Sequence, residues 1–293
     1  MHRNAAAAAW FLGLALAGAS LAACTSSSTT SSTATGAASE QSRSAGPIAV
    51  AGSTALLPLV KDAAGAYQDQ HKNVQISVSG GGSATGINQV AAKAVDIGDS
   101  DILAVGHPEL QDHRVAVIGF AIVTHPGAGV KSLSKQQLRD IFSGKVTNWK
   151  QAGGPDLKIV VVNRPRSSGT RAVFAKTIMG DTPISESGLT EDATGTAVSV
   201  VKQTPGAISY VALSGLGAGG GAVNVVPVDG VAPAPQTIQT GKYPIWSYEH
   251  MYTNGPAQGE VAKFIDYVAH ATDLVKKNRF IPVGDMKVRE SDR

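Results

Sequence analysis

From Pro47 onward, short apolar runs alternate with stretches of helical periodicity, and this alternation limits the fold more than any other feature of the chain. Ile48-Ala49-Val50-Ala51 reads as a strand. Leu56, Leu59, Val60, Ala63 and Tyr67 then recur on one helical face. Residues 74–78 alternate apolar and polar, residues 87–94 read as a helix, and residues 115–123 form one long apolar run. Helices are expected over 133–142 and 172–179, and strands over 159–162, 208–211 and 223–228. A last amphipathic helix is expected from about residue 260 to 277. Such alternation predicts an α/β fold of mainly parallel sheets covered by helices on both faces. A pattern of roughly 245 residues suggests two lobes rather than one sheet, and no internal repeat is evident. With 43% hydrophobic and 16% charged residues, the chain has the apolar content to fill such cores and is not a disordered polymer.

The first 46 residues lack the alternation. Arg3 precedes an apolar stretch from Ala5 to Ala19, which leads to Leu21-Ala22-Ala23-Cys24. A basic start, a short apolar region and small residues before a cut site describe an export signal over 1–23. The stretch is rich in alanine and broken by Gly13, Gly18 and Ser20, so it is marginal as a permanent span. Leu-Ala-Ala-Cys resembles the lipobox of bacterial lipoproteins, in which cleavage precedes the cysteine and its sulfur carries a diacylglycerol. A plain signal peptide with an incidental cysteine is the alternative. Cys24 is the single cysteine, which excludes an intramolecular disulfide. Residues 24–46, mostly Ser, Thr, Ala and Gly, cannot bury a core and are expected to form a flexible tether. Anchor and tether together imply a folded part held at the outer face of the cell membrane.

Three strand-to-helix junctions share one design. Gly52-Ser53-Thr54 follows the first strand. Gly80-Gly81-Gly82-Ser83-Ala84-Thr85-Gly86 follows the second, and Ser167-Ser168-Gly169-Thr170 follows the strand ending at Val162. Each sets hydroxyls and unhindered backbone N–H groups at a helix N-terminus, where donors are unsatisfied and the partial charge is positive. Helix capping accounts for any one of them alone. Three that converge make a cage of neutral donors suited to a small oxyanion. Arg164, four residues before Ser168, offers a planar fork to two oxygens of a tetrahedral anion. Asp101 belongs beside an anion only if the ligand brings a proton to donate; otherwise it is a solvated loop aspartate.

Enzyme signatures fail. Gly144-Lys145 is followed by Val146 rather than the Ser or Thr of a phosphate-binding loop, and Thr85 takes the last place of a Gly-x-Ser-x-Gly elbow around Ser83. The seven histidines show no metal-binding spacing. Gly215-Leu216-Gly217-Ala218-Gly219-Gly220 matches Gly-x-Gly-x-x-Gly but precedes an expected strand, not a helix, so it reads as a loop. A net charge of +3, with no basic block beyond Lys276, Lys277 and Arg279 at a helix end, argues against nucleic acid as a partner.

These segments, in this order, resemble the phosphate-binding proteins of the phosphate-specific ABC transporter. The resemblance rests on Gly52-Ser53-Thr54-Ala55, residues 80–86, Asp96-Ile97-Gly98 with Ser100-Asp101, and residues 163–174. Ile141-Phe142-Ser143-Gly144-Lys145 with Thr147-Asn148-Trp149, and Pro205-Gly206-Ala207-Ile208-Ser209-Tyr210-Val211, also match. It implies a two-lobed type II periplasmic-binding fold with the ligand cleft between the lobes. Lobe 1 is expected to span 47–120 and 226–293, and lobe 2 to span 121–225. The implied ligand set is Ser53, Thr54, Ala55 through its backbone, Ser83, Asp101, Arg164, Ser168, Gly169 and Thr170, with Arg171 a weaker candidate whose alternative is a salt bridge on its own helix. The second loop reads Ser-Ala-Thr-Gly where Ser-Gly-Thr-Gly is commoner, and Ser167 replaces a frequent glycine. Arg166 stands where some members carry an aspartate that restrains the arginine. The implied partners are inorganic phosphate and permease subunits driven by a cytoplasmic ATPase, with no cofactor and no metal. Rival readings are another oxyanion (sulfate, molybdate or tungstate), an extracytoplasmic hydrolase, and a sensor or adhesin.

Overall fold

The computed structural model describes residues 46–217 and 223–289, all within one compact unit spanning 43–293. Cys24, the expected export signal and nearly all of the expected tether lie outside the described residues.

The described residues open with strand β1 (Ile48–Gly52) and helix α1 (Leu57–Gln70). The α1 face expected from periodicity is the buried one: Leu56, Leu59, Val60, Ala63 and Tyr67 all enter the core. Each large aliphatic side chain there contributes about 1.5–3 kcal/mol by leaving water. β2 (Ile76–Ser79), α2 (Ser83–Ala91) and β3 (Ile97–Ser100) follow. Helix α2 starts at Ser83 rather than after Gly86, so the second junction is the first turn of the helix. The backbone at Gly81 and Gly82, with φ of 138° and 91°, makes that abrupt entry available to glycine alone.

The long strand β4 (Leu110–Thr124) organises the rest. After it come α3 (Lys135–Phe142), β5 (Val160–Asn163), α4 (Gly169–Phe174) with a π-helical continuation over Ala175–Met179, and the short β6 (Leu189–Thr190). Then come α5 (Thr194–Gln203), β7 (Ala207–Ala212), β8 (Asn224–Val226) and α6 (Pro235–Gln239). The chain closes with β9 (Trp246–Asn254), α7 (Gly259–His270) and α8 (Thr272–Lys277). The single final helix expected over 260–277 is two helices, parted at Ala271, whose ψ of 59° leaves the helical region.

Hydrogen-bonded strands run in the order β2-β1-β3-β9-β4-β7-β5-β6, with β8 also on β4. The expected parallel pairing holds only at the ends, for β1 with β2 and β3 and for β5 with β6 and β7. In the middle, β9 lies antiparallel to β3 and β4, and β4 is antiparallel to β7 and β8, so the arrangement is mixed. β4 exchanges partners along its length: Leu110 through Gly119 pair with β9, and Phe120 through Thr124 with β7. At the exchange the Ile238 and Leu213 side chains press on Gly119 so closely that a Cβ would overlap them. Phe142 and Trp149 are fully buried, and the Trp149 indole donates to the Gly206 carbonyl at 2.9 Å, so the segment containing both is structural.

Candidate functional site

The three junctions meet around one carboxylate. Gly52, with φ of 143°, lies against the Asp99 backbone, and the next amide, Ser53 N–H, donates to the Asp99 carbonyl at 2.9 Å. The Ser53 hydroxyl accepts from the amides of Ala55 (3.0 Å) and Leu56 (3.1 Å), which shapes the turn into α1, and it donates to Asp101 Oδ1. From the second junction, Gly82 N–H donates to the Gly52 carbonyl at 2.9 Å, while Ser83 Oγ accepts from the Asp101 amide at 2.9 Å. In the third, Ser168 caps α4 by accepting from the Arg171 amide, and the Thr170 hydroxyl donates to Asp101 Oδ2 at 3.0 Å. The junctions also touch one another: Ala84 N–H donates to the Ser167 carbonyl at 3.1 Å, and Gly169 packs against Ser83 and Asp101 with no room for a Cβ.

Asp101 is thus a buried carboxylate with a hydroxyl donor on each oxygen, not a solvated loop residue. Burial raises its pKa above the ordinary aspartate value, while the Ser53 and Thr170 hydroxyls and the Arg164 charge oppose that shift.

Arg164 is fully buried just past the end of β5. Its amide donates to the Tyr210 hydroxyl at 3.4 Å, and the Tyr210 ring stacks on Phe174 with centroids 4.2 Å apart. The guanidinium is held by backbone carbonyls rather than by a carboxylate: Nε donates to Glu191 O and Nη2 to Asp192 O, both at 2.8 Å. Nη2 also reaches the Thr54 hydroxyl at 2.9 Å. Arg166 points away, 84% exposed, to a salt bridge with Glu186. Arg171 donates to Glu186 and to the Arg164 carbonyl, both under 3 Å; Glu186 lies beyond the helix that Arg171 begins, so the salt bridge is not the expected one on its own helix.

Sequence reasoning missed three members of this neighbourhood. Thr194, at the start of α5, lies 3.3 Å from the Thr54 hydroxyl and accepts from Arg164 Nη1 at 3.4 Å. Its signal was available, since Thr194-Gly195-Thr196 repeats the hydroxyl-glycine design of the other junctions. Asp99 and Glu249 are buried carboxyls beside Asp101, and a single acidic residue in a strand carries no mark of burial. Among the described residues no group of three or more His, Cys, Asp or Glu is placed to hold a metal ion.

The chain as a whole is similar to known proteins. Residues 28–272 match the model of the PBP superfamily domain. The phosphate-binding protein PstS of Bacillus subtilis (strain 168) is 42% identical over 259 residues, covering 86% of this chain and 85% of that protein. The chain belongs to the PstS phosphate-binding-protein family. PstS of Borreliella burgdorferi is more distant, 25% identical over 253 residues, covering 80% of this chain and 90% of that one. Among solved structures of PstS-like proteins, a Clostridium perfringens protein with bound phosphate, described as a phosphate ABC transporter substrate-binding protein, superposes with a TM-score of 0.76. It is 29% identical and covers 81% of this chain and 100% of its own. An ABC-type phosphate transport receptor from Vibrio cholerae gives a TM-score of 0.66 at 26% identity, covering 80% and 99%. This PstS-family chain therefore has the type II periplasmic-binding fold, and its family is one of substrate-binding proteins.

Proposed function

We propose that this protein binds inorganic phosphate outside the cell membrane and delivers it to an ABC importer, acting as a carrier rather than an enzyme. The observation that carries the reading is Asp101: a buried acceptor, with Ser53 and Thr170 on its two oxygens and its charge felt at the buried Arg164. A tetrahedral anion that keeps a proton can give it to Asp101 while its other oxygens take the fork of Arg164 and the neutral donors. The ligand set is Ser53, Thr54, the Ala55 amide, Ser83, Asp101, Arg164, Ser168, Gly169 and Thr170. Sulfate is disfavoured, because a fully deprotonated anion meets the Asp101 charge with nothing to donate.

The binding site lies between two lobes, 47–120 with 226–293 and 121–225, joined by crossing strands. The partner exchange of β4 at Gly119 supports that division. Direct bonds across it, such as Arg164 to Thr54, are those an entering anion replaces, so lobe opening precedes entry. The folded part is tied to the membrane through lipidated Cys24 and the 24–46 tether, and hands phosphate to permease subunits driven by a cytoplasmic ATPase. No helix among the described residues is long and apolar enough to cross a membrane itself.

Calorimetric titration of the soluble part with phosphate, sulfate and molybdate tests this reading. One phosphate per chain, bound far more tightly than the other two, is expected. Equal or tighter binding of sulfate or molybdate contradicts it.

A further inference from the structure

Behind Asp101 lie two more carboxyls that the binding reading leaves unused. Asp99 is 1% exposed and Glu249 0%; no N–H or hydroxyl donor reaches any of their four carboxyl oxygens, and Glu249 lies within hydrogen-bonding reach of the Asp101 carboxylate. The antiparallel pairing of β3 with β9 matches Asp99 with Met251 and Ser100 with His250, so the next step sets Asp101 across from Glu249. Asp99 and Asp101, two apart in sequence, share one side of the chain there. Three carboxyls therefore meet in one dry region. The charged groups that reach Glu249 are Asp99 and Asp101, with Arg164 acting beyond Asp101. From the other elements packed on β9, the β4 residue opposite is Ala116, and α2 carries no charged residue at all. The acidic and basic residues at the start of α7, Glu260 and Lys263, are paired with each other.

Like charges so enclosed do not ionise together. Only Asp101 has donors on its oxygens, so the negative charge settles there. We infer that Glu249 is a proton-holding residue outside the ligand set: with Asp99 it keeps a proton behind the site, leaving Asp101 as the single charged carboxyl that faces the anion. Burial pushes both Asp99 and Glu249 well above the usual carboxylate range, and the Asp101 charge adds to it, which agrees with the geometry. The consequence is a coupling between anion and proton. Ionising Glu249 adds a second negative charge next to the ligand, and a bound dianion in turn holds the Glu249 proton more firmly. The inference rests on the phosphate-binding reading for its functional meaning, though not for the protonation itself.

Infrared spectroscopy of the folded protein at neutral pH tests the protonation. Glu249 is the only buried glutamate among the described residues, so carbon-13 labelling of glutamate assigns its band without any substitution. A protonated glutamate carboxyl band that shifts with the label and vanishes in Glu249→Gln is expected. Phosphate titrations then test the role: Glu249→Gln, a neutral isostere, keeps wild-type affinity at neutral pH within about threefold, while with rising pH the wild type loses affinity faster than the variant. Absence of the band, a loss of about tenfold or more in Glu249→Gln at neutral pH, or identical profiles up to alkaline unfolding overturns the inference. Failure of the wild type to bind phosphate while the band is present counts against the binding reading and not against the protonation.

Discussion

Arg164 Nη2 donates to the Thr54 hydroxyl at 2.9 Å, and this bond ties the end of β5 to the turn before α1. The same nitrogen donates to the Asp192 carbonyl, and Nε donates to the Glu191 carbonyl. The two carbonyls keep hold of the side chain when the Thr54 bond gives way, so it is pre-oriented for a ligand, which lowers the ordering cost of binding.

Replacing the fork is therefore more harmful than the retained charge suggests. Arg164→Lys is expected to weaken phosphate binding by about 10- to 100-fold, in line with the loss of one charge-assisted hydrogen bond of roughly 1.5–3 kcal/mol. Arg164→Ala is expected to weaken it further. Calorimetry on both variants checks this, and wild-type affinity in Arg164→Ala removes the residue from the ligand set.

How far the site was legible in the sequence depends on how local each signal is. Ser53, Ser83 and Thr170 are legible because three junctions of glycine and hydroxyl residues recur along the chain where capping accounts for one alone, and these three do converge on Asp101. The buried faces of α1 and α3 follow from 3.6-residue periodicity. Strand β9 was not legible: its eight residues from Trp246 to Thr253 are all buried, yet Ser247, Glu249, His250 and Thr253 break any apolar run. Strand direction was not legible either, since local periodicity is the same in parallel and antiparallel pairs, and β9 joins the sheet from far along the chain. The carbonyls that restrain Arg164 belong to Glu191 and Asp192, whose side chains mark nothing in the sequence; the backbone does the holding.

Buried Asp99 makes folding sensitive to alkali. Its pKa in the folded protein lies well above the ordinary value, so the native state keeps a proton that the unfolded chain releases near pH 4. Stability is greatest below that pH for this group and falls as pH rises toward the folded value, by up to about 1.4 kcal/mol per pH unit. Asp99→Asn has no proton to lose, so its stability is expected to fall less steeply between about pH 5 and 8. Urea unfolding across that range checks it; equal slopes in both proteins would show that Asp99 is not held protonated.

Lipidation at Cys24 is tested by fractionation. Cys24→Ser is expected to release the protein from membranes or to block its processing. A processed Cys24→Ser protein that fractionates with membranes as the wild type does contradicts the anchor.

The central claim is that Asp101 selects an anion that carries a proton, and one ratio tests it most directly. Phosphate keeps a proton near neutral pH for the carboxylate to accept, while sulfate has none to offer. Sites built around a ligand hydroxyl can reject an analogue lacking it by roughly 10⁴- to 10⁵-fold. Asp101→Asn exchanges an acceptor-only group for one that can also donate, and removes the repulsion that sulfate meets. The measurement is the phosphate-to-sulfate affinity ratio in wild type and Asp101→Asn, at matched pH and salt. The account predicts a ratio that collapses by about 100-fold or more in the variant, chiefly through tighter sulfate binding. An unchanged ratio would contradict it and return Asp101 to a purely structural role.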